Sequence, residues 1–272
     1  MSAAKVSDLY RTAFVTGASS GLGAAFVGML LADGVRVWGT ARDPARLAAR
    51  ENFFPVVLDL ADPTAAEKNF LHAAEAAGGA FDLVIHNAGY GVFGSFAATD
   101  FAVWQAQLDA MLPATLRLAH AALRPMIARR RGCLVNVSSL AAEFPLPFMS
   151  GYNAAKAGLS AFSESLAFET RGTGVKVIDF RPGDYRTPFN QAMHRPLGEP
   201  SEIEARAWRR LEANLQAAPS PARAAADLRG ALLCGRSGTV RSGSFFQARL
   251  APLFARVAPR VLFRAALRIY YG

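Results

Sequence analysis

The sequence predicts an α/β protein whose single domain is a doubly wound parallel sheet. Six short apolar runs alternate with helical patterns, and each run is followed by a helix or a loop. The positions at the ends of these runs are Gly17, Ala41, Asp59, Asn87, Ser139 and Pro182. Because ligands of such sheets bind beyond the carboxyl ends of the strands, the agreement of six separate elements supports this fold.

Apolar runs bounded by glycine, proline and acidic residues set the predicted elements. We expect strands over residues 12–16, 35–40, 54–60, 81–86, 133–137 and 174–180. We expect helices over residues 24–33 and 65–77, one or two helices around Pro113 within 101–126, and a helix carrying Tyr152 that extends to about residue 170. The domain is expected to span residues 1–244, with a tail over residues 245–272.

Composition excludes several classes of protein. The chain has 272 residues, of which 52% are hydrophobic and 19% charged, enough apolar material for a large core. Cys133 and Cys234 cannot supply a disulfide framework or a zinc cluster, so we expect no metal and a reducing, cytoplasmic compartment. The first residues do not resemble a signal peptide, and no apolar run is long enough to cross a membrane. The net charge of +9 comes without a nucleic-acid-binding motif, so we expect no nucleic-acid partner.

A glycine-rich loop follows the first predicted strand and opens the first predicted helix. Gly17 permits the turn, Gly21 lets the backbone approach a phosphate, and Gly23 lets the helix pack on the strand. The helix N-terminus offers N–H groups and a positive dipole to a pyrophosphate. We therefore expect a dinucleotide to contact Gly17, Ser19, Ser20, Gly21, Leu22 and Gly23; the alternative is a tight turn without a ligand.

The end of the second predicted strand favours NADP(H) over NAD(H). An NAD-binding protein usually has an acidic residue there to hold the ribose 2′-hydroxyl, but this chain has Ala41 followed by Arg42. An arginine can bind a 2′-phosphate through charge-assisted hydrogen bonds. The neighbouring carboxylate of Asp43 would favour NAD(H) instead, although Asp43 and Pro44 also fit the start of a helix.

The third predicted strand ends at Asp59 and Leu60, which we expect at the adenine edge of the dinucleotide. The alternative role of Asp59 is to cap a helix, but Asp62 before Pro63 fits that role better. His86 ends the fourth strand, and we interpret it as a packed or cofactor-adjacent residue rather than a catalytic one.

Tyr152, Lys156 and Ser139 predict a site of proton transfer. Four residues separate Tyr152 from Lys156, so on a helix both side chains lie on one face. An ammonium group beside a phenol stabilises the phenolate, so we expect the tyrosine pKa to fall from its usual value of about 10. Ser139 ends a predicted strand, where its hydroxyl can point toward the tyrosine.

Together these motifs resemble the short-chain dehydrogenase/reductase family over about residues 10–190. The matching segments are Thr16 to Gly23, Asn87-Ala88-Gly89, Ser139 with Tyr152 and Lys156, and Arg181-Pro182-Gly183 with Thr187. The resemblance implies a Rossmann fold, with Pro182, Gly183 and Thr187 against the nicotinamide. It also implies that Tyr152 exchanges a proton with the substrate oxygen, that Ser139 hydrogen-bonds this oxygen, and that Lys156 lowers the tyrosine pKa and binds the nicotinamide ribose.

The resemblance implies hydride transfer between nicotinamide and a ketone, aldehyde or alcohol. Two alternatives stay open, an epimerase or dehydratase on the same scaffold, and a dinucleotide-binding regulatory protein with little turnover. Met111 bears on the second, because it stands where the family often has an asparagine that anchors a water molecule behind the lysine. Tyr185 also departs from the usual small aliphatic residue, but there the backbone does the binding.

The substrate side is expected to be apolar. A flap over about residues 188–217 should close the crevice, with residues 90–93 and 141–149 as the other walls, and Glu143 as the one charge that could orient a substrate. These walls suggest a steroid, retinoid, acyl or aryl ketone, although they could also merely cover the core.

The tail over residues 245–272 combines arginines with apolar residues and contains no acid. Pro252 and Pro259 should break it into short helical pieces. Such a segment can lie in a membrane surface, or it can cover its own domain or a partner subunit. We therefore expect a cytoplasmic homo-oligomer, a dimer or tetramer, with peripheral membrane contact as the alternative use of the tail.

Overall fold

A computed structural model describes residues 4–189, 191–195 and 199–257, with only the backbone for residues 255–257. Its centre is a parallel sheet of seven strands in the order β3-β2-β1-β4-β5-β6-β7. The strands are β1 Thr12–Val15, β2 Arg36–Ala41, β3 Phe53–Val57, β4 Leu83–His86, β5 Gly132–Val137, β6 Val175–Pro182 and β7 Gly238–Ser242.

Helices cover both faces of this sheet. They are α1 Gly21–Ala32, α2 Pro63–Ala76, α3 Phe101–Met111, α4 Pro113–Ala128, α5 Ser150–Glu169, α6 Glu202–Gln216, α7 Pro221–Cys234 and α8 Ala251–Val257, with a π-helical turn over Phe246–Leu250 before α8. One face packs against α1 and α7, and the other against α2, α4 and α5. The predicted fold class, an α/β doubly wound parallel sheet, is confirmed.

Strand β1 shows why the central strands are apolar throughout. Ala13 and Val15 point into the core shared with α1 and α7, whereas Phe14 points into the opposite core. Successive side chains of a strand alternate between the two faces of a sheet, and here both faces are covered by helices. A continuous apolar run is therefore required, and this run is the pattern from which the strands were predicted.

Several predicted elements have different bounds in the structure, and β3, which was expected to reach residue 60, ends at Val57. Asp82 lies before β4 rather than in it, and its carboxylate accepts a hydrogen bond from Arg11 N at 2.9 Å. The segment with Pro113 forms two helices, because α3 ends at Met111 and α4 begins at Pro113, where the missing proline N–H costs no hydrogen bond.

Strand β7 was missed because its sequence, Gly-Thr-Val-Arg-Ser, has little apolar character. It is fixed by pairing with β6 and by the buried Ser242, whose hydroxyl bonds Tyr185 Oη at 2.5 Å and Asp227 Oδ2 at 2.7 Å.

The expectation that Pro252 breaks the tail is wrong, because the π-helical turn continues directly into α8. Pro252 is the second residue of α8, and proline is tolerated in the first turn of a helix. Pro259 lies outside the described residues. Within the part of the chain that the structure describes, no helix is long and apolar enough to cross a membrane.

Candidate active site

A cavity of about 1600 Å³ lies beyond the carboxyl ends of the strands and brings together nearly every site residue expected from the sequence. Its lining includes Gly17, Ser19, Ser20, Gly21, Leu22, Arg42, Asp59, Leu60, Asn87, Ala88, Gly89, Ser139, Tyr152, Lys156, Pro182, Gly183 and Thr187. Gly23 lies outside this lining. The volume exceeds that of most single-ligand sites, so there is room for a dinucleotide and a second molecule.

The glycine loop is held in place by its neighbours. Gly17 has φ +69°, and its N–H donates to Thr40 Oγ1 at 3.2 Å. The Asn87 amide donates to the carbonyl oxygens of Thr16 and Gly17 at 3.0 and 3.2 Å. Asn87 therefore supports the loop through its side chain, a role that the sequence motif alone does not reveal.

Gly23 shapes the loop from behind. A Cβ atom added there would lie 2.0 Å from the Gly17 carbonyl oxygen and 2.6 Å from Asn87 Nδ2. Only a glycine lets the first turn of α1 approach the strand and the loop this closely, as the sequence indicates. Gly23 therefore affects the loop through close packing and does not itself line the cavity.

The residues after β6 face the glycine loop. A Cβ atom at Gly21, which has φ +57°, would contact the Thr187 side chain at 3.4 Å. Pro182 and Gly183 precede Thr187 in the chain and line the same cavity. The N-terminus of α1 and the segment expected at the nicotinamide therefore lie close together at the cavity.

Two arginines line the cavity beyond β2. Arg42 was expected there, and Arg46 joins it because a short 3-10 turn, Pro44–Arg46, folds the chain back. Asp43 caps this turn, accepting a hydrogen bond from Ala45 N at 2.9 Å. Arg46 was not predicted from the sequence, although a second arginine four residues after Arg42 could have indicated it.

The segment after β3 settles which aspartate caps α2. Asp62 accepts the hydrogen bond of Ala65 N at 3.0 Å, as the sequence indicates. Asp59 bonds Ala61 N at 3.0 Å with one carboxylate oxygen and lines the cavity.

Ser139, Tyr152 and Lys156 converge at the opposite end of the cavity. Tyr152 and Lys156 lie one turn apart on α5, with Lys156 Nζ 5.7 Å from the tyrosine ring centroid. Burial raises the pKa of Tyr152 to about 12, and a hydrogen bond with Ser139 opposes this shift. The expected fall in the Tyr152 pKa is therefore wrong for the polypeptide by itself, because burial disfavours the charged phenolate.

Lys156 is itself buried. Its Nζ donates to the Val137 carbonyl oxygen at 2.8 Å. Burial lowers the Lys156 pKa to about 8, with Asp179 acting in the opposite direction. The ammonium group is thus fixed in position at the end of β5, beside the loop that carries Ser139.

An ionic network centred on the buried Arg181 and Asp179 lies beside this loop. Arg181 bonds Asp179 Oδ2 at 2.6 Å, Glu143 Oε1 at 2.5 Å and Glu164 Oε1 at 2.7 Å. Glu143 also accepts a hydrogen bond from Arg241 Nε at 2.8 Å. The expectation that Glu143 orients a substrate is wrong, because two arginines occupy its carboxylate.

Met111 lies at the C-terminal end of α3 and is 2% exposed. A Cβ atom added at Gly89 would lie 3.3 Å from Met111 Cε and 3.7 Å from Lys156 Nζ, so both side chains reach the same backbone segment. One turn earlier, Gln107 donates from Nε2 to the Tyr90 carbonyl oxygen at 2.9 Å, while its buried Oε1 has no partner among the described residues. The thioether thus occupies space near the lysine without offering it a strong acceptor.

His86 is a packed residue in the structure. Its Nδ1 lies 2.9 Å from Asn136 Oδ1, and burial lowers its pKa to about 4. Within the described ranges, no cluster of three or more histidine, cysteine or carboxylate side chains is placed to bind a metal ion.

Apolar side chains form the rest of the cavity. The flap contributes Phe189, Met193, Leu211 and Leu215, and the segment after Ser139 contributes Phe144, Leu146 and Met149. The flap is tied down where His194 N donates to the Gly91 carbonyl oxygen at 2.9 Å.

The C-terminal segment, defined as residues 245–257, closes the cavity from the remaining side. Phe246, Gln247, Leu250, Leu253 and Phe254 line it. Residues 258–272 of the expected tail lie outside the described residues.

The chain is similar to known proteins over most of its length. The family model described as short chain dehydrogenase matches residues 11–197. An uncharacterized oxidoreductase of Myxococcus xanthus is 36% identical over 69% of this chain and 77% of its own. A probable NADP-dependent dehydrogenase of Haemophilus influenzae is 32% identical over 63% of this chain and 70% of its own.

The structure of a short-chain dehydrogenase from Streptomyces avermitilis superposes with a TM-score of 0.79 and 28% identity, covering 98% of this chain and 99% of that one. Sequence, fold and site geometry therefore agree. The chain belongs to the short-chain dehydrogenase/reductase family of oxidoreductases, which act on CH–OH and C=O groups.

Proposed function

We propose that the protein is an NADP(H)-dependent oxidoreductase that transfers hydride between nicotinamide and a ketone or secondary alcohol with apolar substituents. The observation that carries this proposal is the meeting of Ser139, Tyr152 and Lys156 with the glycine loop in one cavity. Carbonyl reduction requires a hydride donor beside the carbonyl carbon and a proton donor beside its oxygen, and one cavity could hold both.

The residues present fit a bound dinucleotide. The positive φ angles of Gly17 and Gly21 and the free approach to the N-terminus of α1 suit a pyrophosphate. Arg42 and Arg46 suit a 2′-phosphate, and the nearby Asp43 carboxylate already caps its own turn. Asp59 and Leu60 would meet the adenine, and Asn87, Ala88 and Gly89 would line the path toward the nicotinamide.

Tyr152 would be the general acid in the reductive direction. Its phenol, held by Ser139, would donate a proton to the substrate oxygen, and Ser139 would hydrogen-bond the same oxygen. Lys156 would bind the nicotinamide ribose and favour the phenolate that remains. The bound cofactor supplies the hydride and, once oxidised, a positive charge near the phenol.

The apolar walls support a hydrophobic substrate. The space beside Tyr152 is enclosed by phenylalanine, methionine and leucine side chains. They come from the flap, from the segment after Ser139 and from the C-terminal segment. The Glu143 carboxylate forms ion pairs with Arg181 and Arg241 and so adds no free charge to these walls. A steroid, retinoid, acyl or aryl ketone fits such surroundings.

We further propose a cytoplasmic homo-oligomer, a dimer or tetramer. Phe245, Phe246 and Leu253 in the C-terminal segment are 70%, 56% and 60% exposed, which favours a contact with another surface. A second subunit is the partner we propose, and peripheral membrane contact is the alternative. Sedimentation measures the first, and co-sedimentation with anionic vesicles measures the second.

The test of the function is NADPH oxidation against a panel of hydrophobic ketones, with Tyr152→Phe as the control. We expect turnover by the wild type and a loss of at least about 100-fold in kcat for the variant, because general acid catalysis contributes about 10²- to 10⁴-fold. If both proteins bound NADPH and were equally inert, a regulatory role would replace the proposed one. Epimerisation or dehydration of the substrate without net NADPH oxidation would instead favour the other use of the scaffold.

A further inference from the structure

Asp184 places a carboxylate at the catalytic end of the cavity. It follows Gly183 after β6, and it lines the cavity near Tyr152, whose pKa it helps to raise. The other acids in the lining, Asp43 and Asp59, follow β2 and β3 at the opposite end and bond the backbone of their own turns. Among the described residues, Asp184 is therefore the acid of the substrate end.

Only one of the two carboxylate oxygens of Asp184 accepts a hydrogen bond from the described part of the protein. Gln247 Nε2 donates to Oδ2 at 2.6 Å, and the Asp184 N–H donates to Gln247 Oε1 at 3.3 Å. In the described part of the chain, no protein group donates to Oδ1, and no lysine or arginine forms an ion pair with this carboxylate. Lys156, the cation beside Tyr152 in the lining, donates to the Val137 carbonyl oxygen instead.

The surroundings of this carboxylate are apolar. The walls facing the same space include Phe144, Leu146, Phe189 and Leu250. Burial raises the pKa of Asp184, and the hydrogen bond from Gln247 opposes the shift. An ionised carboxylate in such a place is stabilised most by a cation that arrives with the ligand, because desolvated charges need a partner.

We infer that Asp184 binds a protonated amine of the substrate, close to the carbon that exchanges hydride. The substrate class is then an apolar amino ketone or the corresponding amino alcohol, with its chain against the phenylalanine and leucine walls. The inference rests on the proposed function for the reaction, but the binding of the amine stands on the geometry alone. Oδ1 would accept the ammonium hydrogen bond while Gln247 keeps Oδ2 in place.

The kinetic test compares a long-chain secondary alcohol that carries an amino group on the neighbouring carbon with the same alcohol lacking the amino group. Reduction of NADP⁺ is followed for the wild type and for Asp184→Asn, which keeps an oxygen for Gln247 and removes the charge. We expect the wild type to prefer the amino alcohol by about 10- to 100-fold in kcat/KM, the range for one hydrogen bond to a charged group. Asp184→Asn should lose this preference, which is the ratio of the two kcat/KM values within each protein and so is independent of any effect of the substitution on Tyr152.

The binding test needs no turnover. Calorimetry measures the affinity of an unreactive long-chain primary amine for the wild type and for Asp184→Asn, each saturated with NADP⁺. A loss of about 10-fold or more in the variant supports the inference. Equal affinity for both proteins, or a wild type that oxidises both alcohols equally well, overturns it. If neither alcohol reacts but the amine binds through Asp184, the proposed reaction fails while the amine site stands.

Discussion

Replacing Gly23 by alanine tests whether close packing behind the glycine loop is what keeps the dinucleotide site in shape. The new Cβ would lie 2.0 Å from the Gly17 carbonyl oxygen, and contacts below 3.0 Å are essentially never found for Cβ atoms. The first turn of α1 would therefore have to move by about 1 Å, carrying with it the N–H groups that face the cavity.

Gly28 on the same helix is the matched control. A Cβ atom there meets nothing within 4 Å, so Gly28→Ala should only gain helix propensity, about 0.5–1 kcal/mol in the free energy of unfolding. Gly23→Ala lies in the first turn of α1 and adds overpacking, which costs about 1–3 kcal/mol, and more where backbone must shift. The two substitutions should thus change stability in opposite directions.

Urea denaturation gives both stabilities, and NADPH fluorescence titration gives both affinities. We expect Gly23→Ala to weaken NADPH binding by at least about 10-fold, equivalent to about 1.4 kcal/mol, and Gly28→Ala to leave binding unchanged. Equal unfolding midpoints and equal affinities in the two variants would refute the reasoning, since the loop would then tolerate what the geometry forbids.

Three further predictions concern charged residues. Arg42→Ala should weaken NADPH binding about 10- to 100-fold while NADH binding changes little; equal losses in titrations with both would contradict a 2′-phosphate site. The unfolded chain holds a proton on Lys156 up to about pH 10.5 and the folded chain only to about pH 8, so wild-type stability should rise with pH between these values relative to Lys156→Met. A pH-independent difference in urea midpoints would argue against a buried, depressed lysine. Arg181→Met should cost about 3–5 kcal/mol, because it leaves a buried carboxylate without its cation, whereas Arg117→Met, in a half-exposed ion pair, should cost less than about 1 kcal/mol. Similar losses of stability from the two arginine variants in denaturant titrations would contradict the larger cost expected for the buried ion pair.

Met111 bears on how protons could reach Lys156 in the proposed enzyme. The break between α3 and α4 falls directly after Met111, and the buried thioether approaches the backbone near Lys156. The sequence identified the departure, and the structure shows what replaces the expected asparagine: apolar packing. Two alternatives stay open as predictions: a proton relay that avoids this side chain, or impaired turnover.

The sequence by itself determined the features that depend on local chemistry. The glycine loop, the spacing of Tyr152 and Lys156 and the apolar strands could be predicted because backbone freedom, helical periodicity and two-sided burial each leave a short pattern. These patterns were enough to predict the confirmed fold class and the arrangement of the cavity-lining residues. The functional roles of those residues stay predictions until the variants above are measured.

Tertiary structure alone decided the features that depend on distant partners. The pKa of Tyr152 rises because elements far apart in the chain remove water from it, a quantity that no spacing encodes. Glu143 is occupied by Arg241, and Asp184 is bonded by Gln247, 63 residues away. A side chain's free charge depends on everything packed around it, so whether a carboxylate is occupied or available to a ligand is visible only in the folded chain.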